Sequence, residues 1–224
     1  LTFIRHQGYP FYFGGKGNFT RDILVSYFAL KRRMKKEREE VSQYVSTHSI
    51  DIVLSDHRYG FRSKAIPSVF VTHQLNLPIR WYEFMASWQH RRLMQSFETI
   101  WVMDTHQFRF AGHLSRGTKS QRVKCIGPYS RFMLYDIPKD KNGGIVSIIS
   151  GPTVYGQQLL DSILENNGNK DMLVIANNAL KVPRELLLES QSWRDQDQAI
   201  LHAEKVISRS GYSTIMDLYF LDCD

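Results

Sequence analysis

Short apolar runs rich in β-branched residues alternate along this chain with segments of helical periodicity, and this alternation restricts the possible folds. Such runs, about four to eight residues long and bounded by turn signals, are typical of strands buried on both faces of a parallel sheet. The helical segments between them supply the crossovers that parallel strands require. In the first half, the runs are residues 50–54, 68–71, 100–103 and 122–126. We therefore predict an α/β protein with parallel sheets.

A second series of the same kind follows a polar segment at residues 136–144, which contains Pro138 and a glycine pair. Such a composition is typical of an interdomain linker. Beyond it, strands are expected at 145–149, at 172–175 and at Val206. We assign residues 1–137 to a first lobe, 138–144 to the linker and 145–224 to a second lobe.

The net charge of +7 is distributed unevenly. The first 139 residues hold 22 Lys and Arg against 10 Asp and Glu, whereas the rest hold 7 against 12. A basic lobe suits an anionic acceptor, an anionic membrane surface or nucleic acid, and a solvated surface bias is the equal alternative. The run at 31–40 mixes both signs on a helix predicted over 20–44, which indicates a solvated helix face.

Several classes of protein are excluded by the composition. No apolar run reaches the roughly 18 residues of a membrane span, and the first residues lack the charged and apolar regions of a signal peptide. Cys125 and Cys223 are too few for a disulfide framework, and the histidines are too scattered to predict a metal site. The reducing cytoplasm is therefore the expected compartment.

Residues 205–218 predict an anion-binding turn between a strand and a helix. After Val206, a polar turn contains Arg209 and Gly211, and a helical pattern follows. The open N-terminus of a helix offers N–H groups and a partial positive charge to a phosphate, and an arginine adds a planar charged fork. Asp217 is placed where a carboxylate reaches a ribose diol in dinucleotide folds. An ordinary βα turn with capping serines and a solvated arginine is the alternative.

Two polar clusters follow predicted strands of the first lobe. Ligands of parallel sheets bind beyond the carboxyl ends of the strands, where these clusters begin. Their imidazole, amide and phenol groups suit hydrogen bonds to sugar hydroxyls. Alternatively, both clusters are polar loop starts in which a carboxylate caps backbone groups. The first cluster is Asp56, His57, Arg58 and Tyr59, and the second contains His73, Gln74 and Asn76.

The sequence Arg209-Ser210-Gly211, followed by Ser213-Thr214 and Asp217, resembles the donor-binding loop of GT-B glycosyltransferases. It is similar to the branch that contains the peptidoglycan N-acetylglucosaminyl transferase and related predicted bacterial glycosyltransferases. Segments 69–76, 126–131 and 145–151 resemble the same branch, in the same order, and together with segment 55–60 they resemble a group of predicted bacterial glycosyltransferases. The resemblance implies a GT-B-like α/β fold of two Rossmann-like parallel-sheet lobes that face a cleft. It also implies inverting, metal-independent transfer of a sugar from a nucleotide-diphosphate sugar, with a UDP-sugar expected.

The resemblance also implies roles for particular residues, with no cofactor and no metal. The diphosphate would be held by Arg209, Ser210, Gly211, Ser213 and Thr214, the ribose by Asp217, and the phosphates from the opposite side by Ser150 and Gly151. Pro152 departs from the glycine-rich form of this last turn. The acceptor side would be formed by Arg58, Tyr59, His73, Gln74 and Asn76. The catalytic base is expected in a loop outside this chain, with Asp56 and His73 as local candidates.

By the same resemblance, both lobes look incomplete, because the first strand with its Gly/His loop and the final donor loop have no counterpart. This chain alone is therefore not expected to catalyse transfer. The acceptor is unknown, with a lipid-linked or cell-envelope glycan as the implied class. The aromatic and basic segment 77–94 predicts a helix that contacts the inner membrane face or forms a core face.

Two alternatives to a glycosyltransferase remain open at this stage. One is a non-catalytic nucleotide-sugar-binding or scaffolding protein, which would keep the donor loop and lack a base. The other, weaker alternative is a basic nucleic-acid-binding module, which would bind through the first lobe and would not need Asp217. No recognisable nucleic-acid motif is present, so we expect no nucleic-acid partner.

Overall fold

A computed structural model of the chain describes residues 4–10, 19–77, 84–107, 110–116, 120–167, 172–177, 179–188 and 192–221. The chain forms two compact units, Leu1–Pro128 and Tyr129–Asp224. Each unit contains a parallel sheet with helices packed against it, so the predicted α/β class is confirmed.

The first unit is built on a four-stranded parallel sheet of order β1-β2-β3-β4. Its central strands carry the apolar core, in which Phe70 and Val102 are fully buried beside Phe97. The predicted strands are confirmed, with ends that differ from the predicted ones by up to three residues, because the apolar runs and the paired backbone do not coincide. The elements are α1 (Phe19–Thr47), β1 (Val53–Asp56), β2 (Ser68–Thr72), α2 (Phe84–Met94), β3 (Thr99–Val102) and β4 (Val123–Cys125).

The charge run on α1 is only partly solvated, which corrects the prediction of an exposed face. Arg33 is 7% exposed and Glu37 is fully buried. These two residues fall on the same stripe as the buried Leu30 and Val41, because the spacings of three and four residues keep all of them on one face of a helix. The mixture of positive and negative residues in the sequence therefore does not show which face of α1 is buried.

The second unit is built on a three-stranded parallel sheet of order β6-β5-β7. Buried side chains lie on both faces of the central strand, where Val146 packs in one core cluster and Ile149 in another. This two-sided burial explains the unbroken apolar run of that strand. The elements are β5 (Ile145–Ile149), α3 (Thr153–Asn167), β6 (Met172–Ala176), α4 (Trp193–His202), β7 (Lys205–Ser208) and α5 (Tyr212–Leu221).

The division between the units falls after Pro128, ahead of the predicted linker at 138–144. A short 3-10 helix, Arg131–Leu134, belongs to the second unit. Its Phe132 is fully buried against Val146 and Ile200, and this contact fixes residues 129–137 to the second core. The predicted boundary was based on polarity and proline content, and these do not show that one aromatic side chain is buried in the second core.

Helix α2 presents an apolar face to solvent. Phe84, Met85 and Trp88 are exposed, whereas His90 and Met94 are buried. The alternative in which this segment forms a core face is therefore wrong for Phe84, Met85 and Trp88. Residues 78–83 and Cys223 lie outside the described residues. Among the helices that the structure describes, none has the length and apolar character needed to cross a bilayer.

Candidate functional site

The second unit brings two of the predicted donor-binding turns together at one edge of its sheet. β5 and β7 are hydrogen-bonded neighbours that run in parallel. Their carboxyl ends therefore place Ser150 and Gly151 beside Arg209. Because α3 and α5 begin directly after these turns, two helix N-termini open at the same edge. We call the cluster Ser150, Gly151, Arg209, Ser210 and Gly211 the anion cradle.

Gly151 and Arg209 are in close approach within the anion cradle. Gly151 has a φ of +92°, in the left-handed region that favours glycine. A Cβ atom at this position would stand 2.8 Å from Nη1 of Arg209. The glycine therefore serves two purposes, because it forms the turn after β5 and leaves room for the guanidinium group.

The guanidinium group of Arg209 is exposed and stacks on an aromatic ring. Its central carbon lies 5.5 Å from the ring centroid of Tyr155, in the first turn of α3. Among the described residues, no carboxylate lies within ion-pair distance of Arg209. The positive charge is therefore positioned by an uncharged partner and remains available to an anion.

The turn before α5 is tight, and two amides in the first turn of the helix have no intrahelical acceptor. The N–H of Gly211 donates to the carbonyl of Arg209 at 2.7 Å, and the first helical hydrogen bond runs from Ile215 N–H to the Gly211 carbonyl at 3.0 Å. The amides of Ser213 and Thr214 lie in the first turn, where helix geometry provides no intrahelical acceptor. Arg209, Ser210, Gly211, Ser213 and Thr214 therefore lie in one turn and the first helical residues after it. The diphosphate-binding role that the resemblance implies for them stays a prediction.

Asp217 has structural partners at both carboxylate oxygens. Oδ1 accepts a hydrogen bond from the Ser130 hydroxyl at 2.6 Å, and Oδ2 accepts one from Nη1 of Arg131 at 2.6 Å. Its side chain is 13% exposed. The predicted ribose ligand therefore also anchors the 3-10 helix to α5, a role that the sequence analysis did not foresee.

Arg131 extends this network to α4. Its Nε donates to Oδ1 of Asp197 at 2.5 Å, and Asp197 also accepts from the Tyr135 hydroxyl at 3.0 Å. Asp197 is almost fully buried, so its charge requires these partners. The network holds Asp217 in one position on α5, whatever it binds.

In the first unit, the predicted acceptor residue Arg58 is committed to a buried carboxylate. Its Nε donates to Oε1 of Glu37 at 2.5 Å, and the Tyr9 hydroxyl donates to Oε2 at 2.6 Å. The guanidinium group also lies 4.7 Å from the Tyr9 ring centroid. Because a buried unpaired carboxylate is costly, Arg58 neutralises Glu37 and helps to fix α1 to the sheet.

Asn76 is likewise used to hold a loop. Its Nδ2 donates to the carbonyls of His113 and Arg116 at 3.0 and 2.9 Å, and its Oδ1 accepts from Arg91 at 3.2 Å. Both hydrogen-bonding ends of the amide are therefore engaged within the first unit. The structure thus gives Arg58 and Asn76 packing roles beside the acceptor roles that the sequence implied.

A cavity of about 260 Å³ lies between α1, α2 and the carboxyl ends of β1 and β2. We call it the first-unit cavity. Its walls are mostly apolar, with a few polar side chains that converge on it, as is typical of ligand sites. The lining residues include Leu30, Met34, His57, Tyr59, Gln74 and His90.

A chain of hydrogen bonds orients the two histidines of this cavity. The N–H at Nε2 of His90 donates to the Gln74 carbonyl at 3.1 Å, and Nδ1 accepts from the Tyr59 hydroxyl at 2.6 Å. The Thr72 hydroxyl donates to the same carbonyl at 3.2 Å and accepts from the Gln74 N–H at 2.9 Å. A lone pair of Thr72 therefore faces Nδ1 of His57 at 2.9 Å, which assigns the proton of His57 to Nδ1.

Both histidines are neutral near pH 7. Burial lowers the pKa of His90 to about 4, and burial also lowers the pKa of His57. His57 has a φ of 54°, which is uncommon for a residue other than glycine. Its backbone N–H donates to the Val71 carbonyl at 3.0 Å, so neighbouring strands hold this conformation. Such backbone strain is found most often at functional sites.

The two local candidates for a base differ in their surroundings. The His73 ring stacks on the His57 ring, with centroids 5.9 Å apart. Burial, with a smaller contribution from His57, lowers the pKa of His73 to about 4. Asp56 is exposed at the end of β1. Neither residue lines the first-unit cavity, whereas Tyr59 and Gln74 do.

Four residues of these networks were missed or undervalued by sequence reasoning. His57 was grouped with the polar cluster expected to contact sugar hydroxyls but was not given a role of its own, and His90, Glu37 and Tyr9 were not singled out. The periodicity of α2 places His90 four residues before the buried Met94, which is the one signal that identifies its inward face. No sequence pattern connects Glu37 to Arg58, because they are 21 residues apart.

A larger cleft of about 770 Å³ runs between α1 and the outer edge of β1. Its buried arginine is already engaged within the first unit. Arg33 donates to Glu40 and to the carbonyl of Gln7, and His6 lies 3.3 Å from Glu40. Arg5 and Lys36 also line the cleft, which therefore combines this paired cluster with two further basic side chains.

Within the described ranges, no group of three or more His, Cys, Asp and Glu side chains is arranged to hold a metal ion. Comparison with protein-family models and with curated protein sequences finds no match. The function is therefore argued from the geometry of the two sites.

Proposed function

We propose that the protein takes part in the transfer of a sugar from a nucleotide-diphosphate sugar, with a UDP-sugar as the expected donor. The second unit would be the donor-binding lobe of a GT-B-like, inverting and metal-independent glycosyltransferase. The observation that supports this most directly is the exposed guanidinium group of Arg209 beside left-handed Gly151, where β5 and β7 end and two helices begin.

The chemistry of the leaving group explains why such a cradle suits the reaction. When the bond to the anomeric carbon breaks, negative charge develops on the diphosphate. An arginine fork and open helix amides stabilise this charge by preorganised electrostatics. Arg209 and the amides of Ser213 and Thr214 would provide these groups, and Asp217 would contact the ribose. The acceptor would bind to the first unit.

Calorimetric titration with UDP, UDP-glucose and UDP-N-acetylglucosamine tests the donor assignment. Arg209→Ala should weaken binding about 10- to 100-fold, because a charge-assisted hydrogen bond is worth about 1.5–3 kcal/mol. The affinity of Arg209→Lys should lie between that of Arg209→Ala and that of the unsubstituted protein, because lysine keeps the positive charge but lacks the planar fork of donors. Equal affinity of Arg209→Ala and the unsubstituted protein would overturn the assignment.

Arg194 provides a matched control in the same unit. It is also exposed, and its guanidinium carbon lies 5.3 Å from the ring centroid of Trp193. Arg194→Ala removes the same charge without touching the anion cradle, so it should leave nucleotide affinity unchanged. Similar losses for Arg194→Ala and Arg209→Ala would show a general charge effect.

Turnover separates the enzyme from the alternative of a nucleotide-sugar-binding protein. UDP release in the presence of glycan and lipid-linked acceptors would support transfer. Tight donor binding without release, measured on the complete gene product, would favour the non-catalytic alternative.

The exposed face of α2 supports peripheral membrane contact as part of this proposal. Phe84, Met85 and Trp88 are exposed, and Arg91 and Arg92 follow on the same helix. Apolar side chains beside basic ones suit an anionic bilayer surface. A lipid-linked acceptor would be reached from such a position.

Flotation with anionic vesicles at low salt tests this contact. Trp88→Ser should reduce the bound fraction severalfold, because Trp88 is 59% exposed and is expected to enter the headgroup region. Trp193→Ser is the matched control, since Trp193 is 60% exposed and also stacks with an arginine. Flotation that is absent, or that is equally reduced by both changes, would remove the proposed contact.

A further inference from the structure

The geometry points to a second binding site: the first-unit cavity binds an uncharged, hydroxyl-bearing ring, whose hydroxyl donates to Nε2 of His57. This binding does not require a nucleotide. If the proposed function holds, the ring is the part of the acceptor that the first unit recognises.

The size and walls of the cavity suit one ring. Its volume of about 260 Å³ exceeds the roughly 150 Å³ that accommodates benzene in an engineered apolar cavity. Leu30, Met34, Leu77 and Leu93 supply apolar walls, and Tyr27 adds an aromatic surface. A six-membered ring with one or two substituents fills such a space, whereas a disaccharide exceeds it.

The described part of the lining offers no counter-charge to an ion. None of the described side chains that line the cavity is Lys, Arg, Asp or Glu. The nearby Glu37 and Arg58 neutralise each other, and burial lowers the pKa of both lining histidines. An ion would lose its hydration without gaining a counter-charge, which is costly. The strongly basic composition of the first 139 residues therefore does not set the charge of this ligand.

His57 is oriented to accept a hydrogen bond. Since its Nδ1 carries the proton and faces Thr72, Nε2 holds the lone pair of the neutral ring. Among the described residues, Nε2 of His57 has no hydrogen-bond partner, and neither do the side-chain amides of Gln74 and Gln89, which also line the cavity. A ligand hydroxyl satisfies Nε2, and the amides satisfy its other oxygens. The left-handed backbone conformation of His57 is strained, and such strain is typical of functional positions.

Histidine-detected NMR on the ¹⁵N-labelled chain tests the site without any nucleotide. The probes share one ring: cyclohexanol, methoxycyclohexane, cyclohexanecarboxylate and cyclohexylamine. Cyclohexanol should shift the Nε2 signal of His57 saturably, with a millimolar Kd. The ether, which cannot donate, and the two ions should bind at least tenfold more weakly. The exposed His48 should not respond to any probe.

Variants distinguish the cavity from non-specific contacts. Ala86 lines the cavity, so Ala86→Leu should abolish the shift, whereas the exposed Ala65→Leu should preserve it. Gln89→Ala, which removes an amide without adding volume, should weaken binding severalfold and serves if Ala86→Leu does not fold. The inference fails if cyclohexanol gives no saturable shift, if an ion binds as tightly, or if free Nε2 already carries a proton. Because this experiment contains no nucleotide, such a result would leave the proposed nucleotide binding at Arg209 untouched.

Discussion

Arg131 donates through Nη1 to Oδ2 of Asp217 at 2.6 Å, and this contact joins the 3-10 helix of the second unit to α5. The sequence implied a ligand role for Asp217, yet the structure shows that the same carboxylate is part of the scaffold. Loss of nucleotide binding in an Asp217 variant would therefore be ambiguous unless stability is measured with it.

Asp217→Ala should lower the free energy of unfolding by about 2 kcal/mol, because it removes a charge-assisted hydrogen bond and leaves Arg131 with one partner. Asp217→Asn should lower it less, since an amide oxygen still accepts from Ser130. Urea denaturation followed by fluorescence measures both. Ser130→Ala is the control that keeps the charge of Asp217 while it removes the hydroxyl that donates to Asp217 and accepts from the Phe132 N–H. Wild-type stability of Asp217→Ala would contradict the scaffold role.

Gly151→Ala should weaken nucleotide binding as well as stability. The new Cβ would stand 2.8 Å from Nη1 of Arg209, so the guanidinium group must move. The left-handed backbone adds about 1–2 kcal/mol of strain. Gly127 has a similar φ of +88° with open space around it, so Gly127→Ala isolates the strain. Calorimetry should show weaker UDP binding for Gly151→Ala alone. Equal binding by both variants would show that the nucleotide does not depend on the position of Arg209.

The stability of the first unit should decrease as the pH falls from about 6.5 towards 4. Burial lowers the pKa of His90 to about 4, so the unfolded chain binds a proton in this range before the folded chain does. The contribution is fully present above the unfolded pKa and is lost at about 1.4 kcal/mol per pH unit. Urea denaturation across this range should show a shallower pH dependence of the unfolding free energy for His90→Gln than for the unsubstituted protein. An unchanged slope for His90→Gln would mean that His90 does not titrate in this way.

Gly60→Ala should be strongly destabilising. A Cβ atom at Gly60 would lie 2.5 Å from the carbonyl oxygen of Met34 and 2.8 Å from its Cα, and this backbone cannot move without shifting α1. Overpacking of this kind costs about 1–3 kcal/mol. Thermal unfolding measures the effect, and Gly8→Ala is the control because nothing lies within 4 Å of a Cβ there. Similar melting temperatures for both variants would show that α1 adapts.

The strands could be predicted from the sequence, but most hydrogen bonds and ion pairs between side chains could not. Buried parallel strands are recognisable as apolar runs, so β1 to β7 were predicted with ends within about three residues. The neighbouring turns at Gly151 and Arg209 were grouped through resemblance, since spacing alone does not state that β5 pairs with β7. Strand order depends on tertiary packing, which a single sequence leaves unspecified.

Errors arose where one side chain decides the outcome. Phe132 moved the unit boundary, because its burial against Val146 outweighs the polarity of its neighbours. Glu37 belongs to a run that looks solvated, and its partner Arg58 is remote in sequence. The positive φ of His57 has no signature in composition, since glycine is the residue that usually marks such a backbone.

The middle position of β5 in its sheet has a consequence for evolvability. The turns at 150–152 and 209–211 lie beyond the last paired residues of β5 and β7, so substitutions there leave the interstrand pairing in place. A randomised library confined to these two turns, with the left-handed Gly151 retained, would test new ligand specificities at little risk to folding.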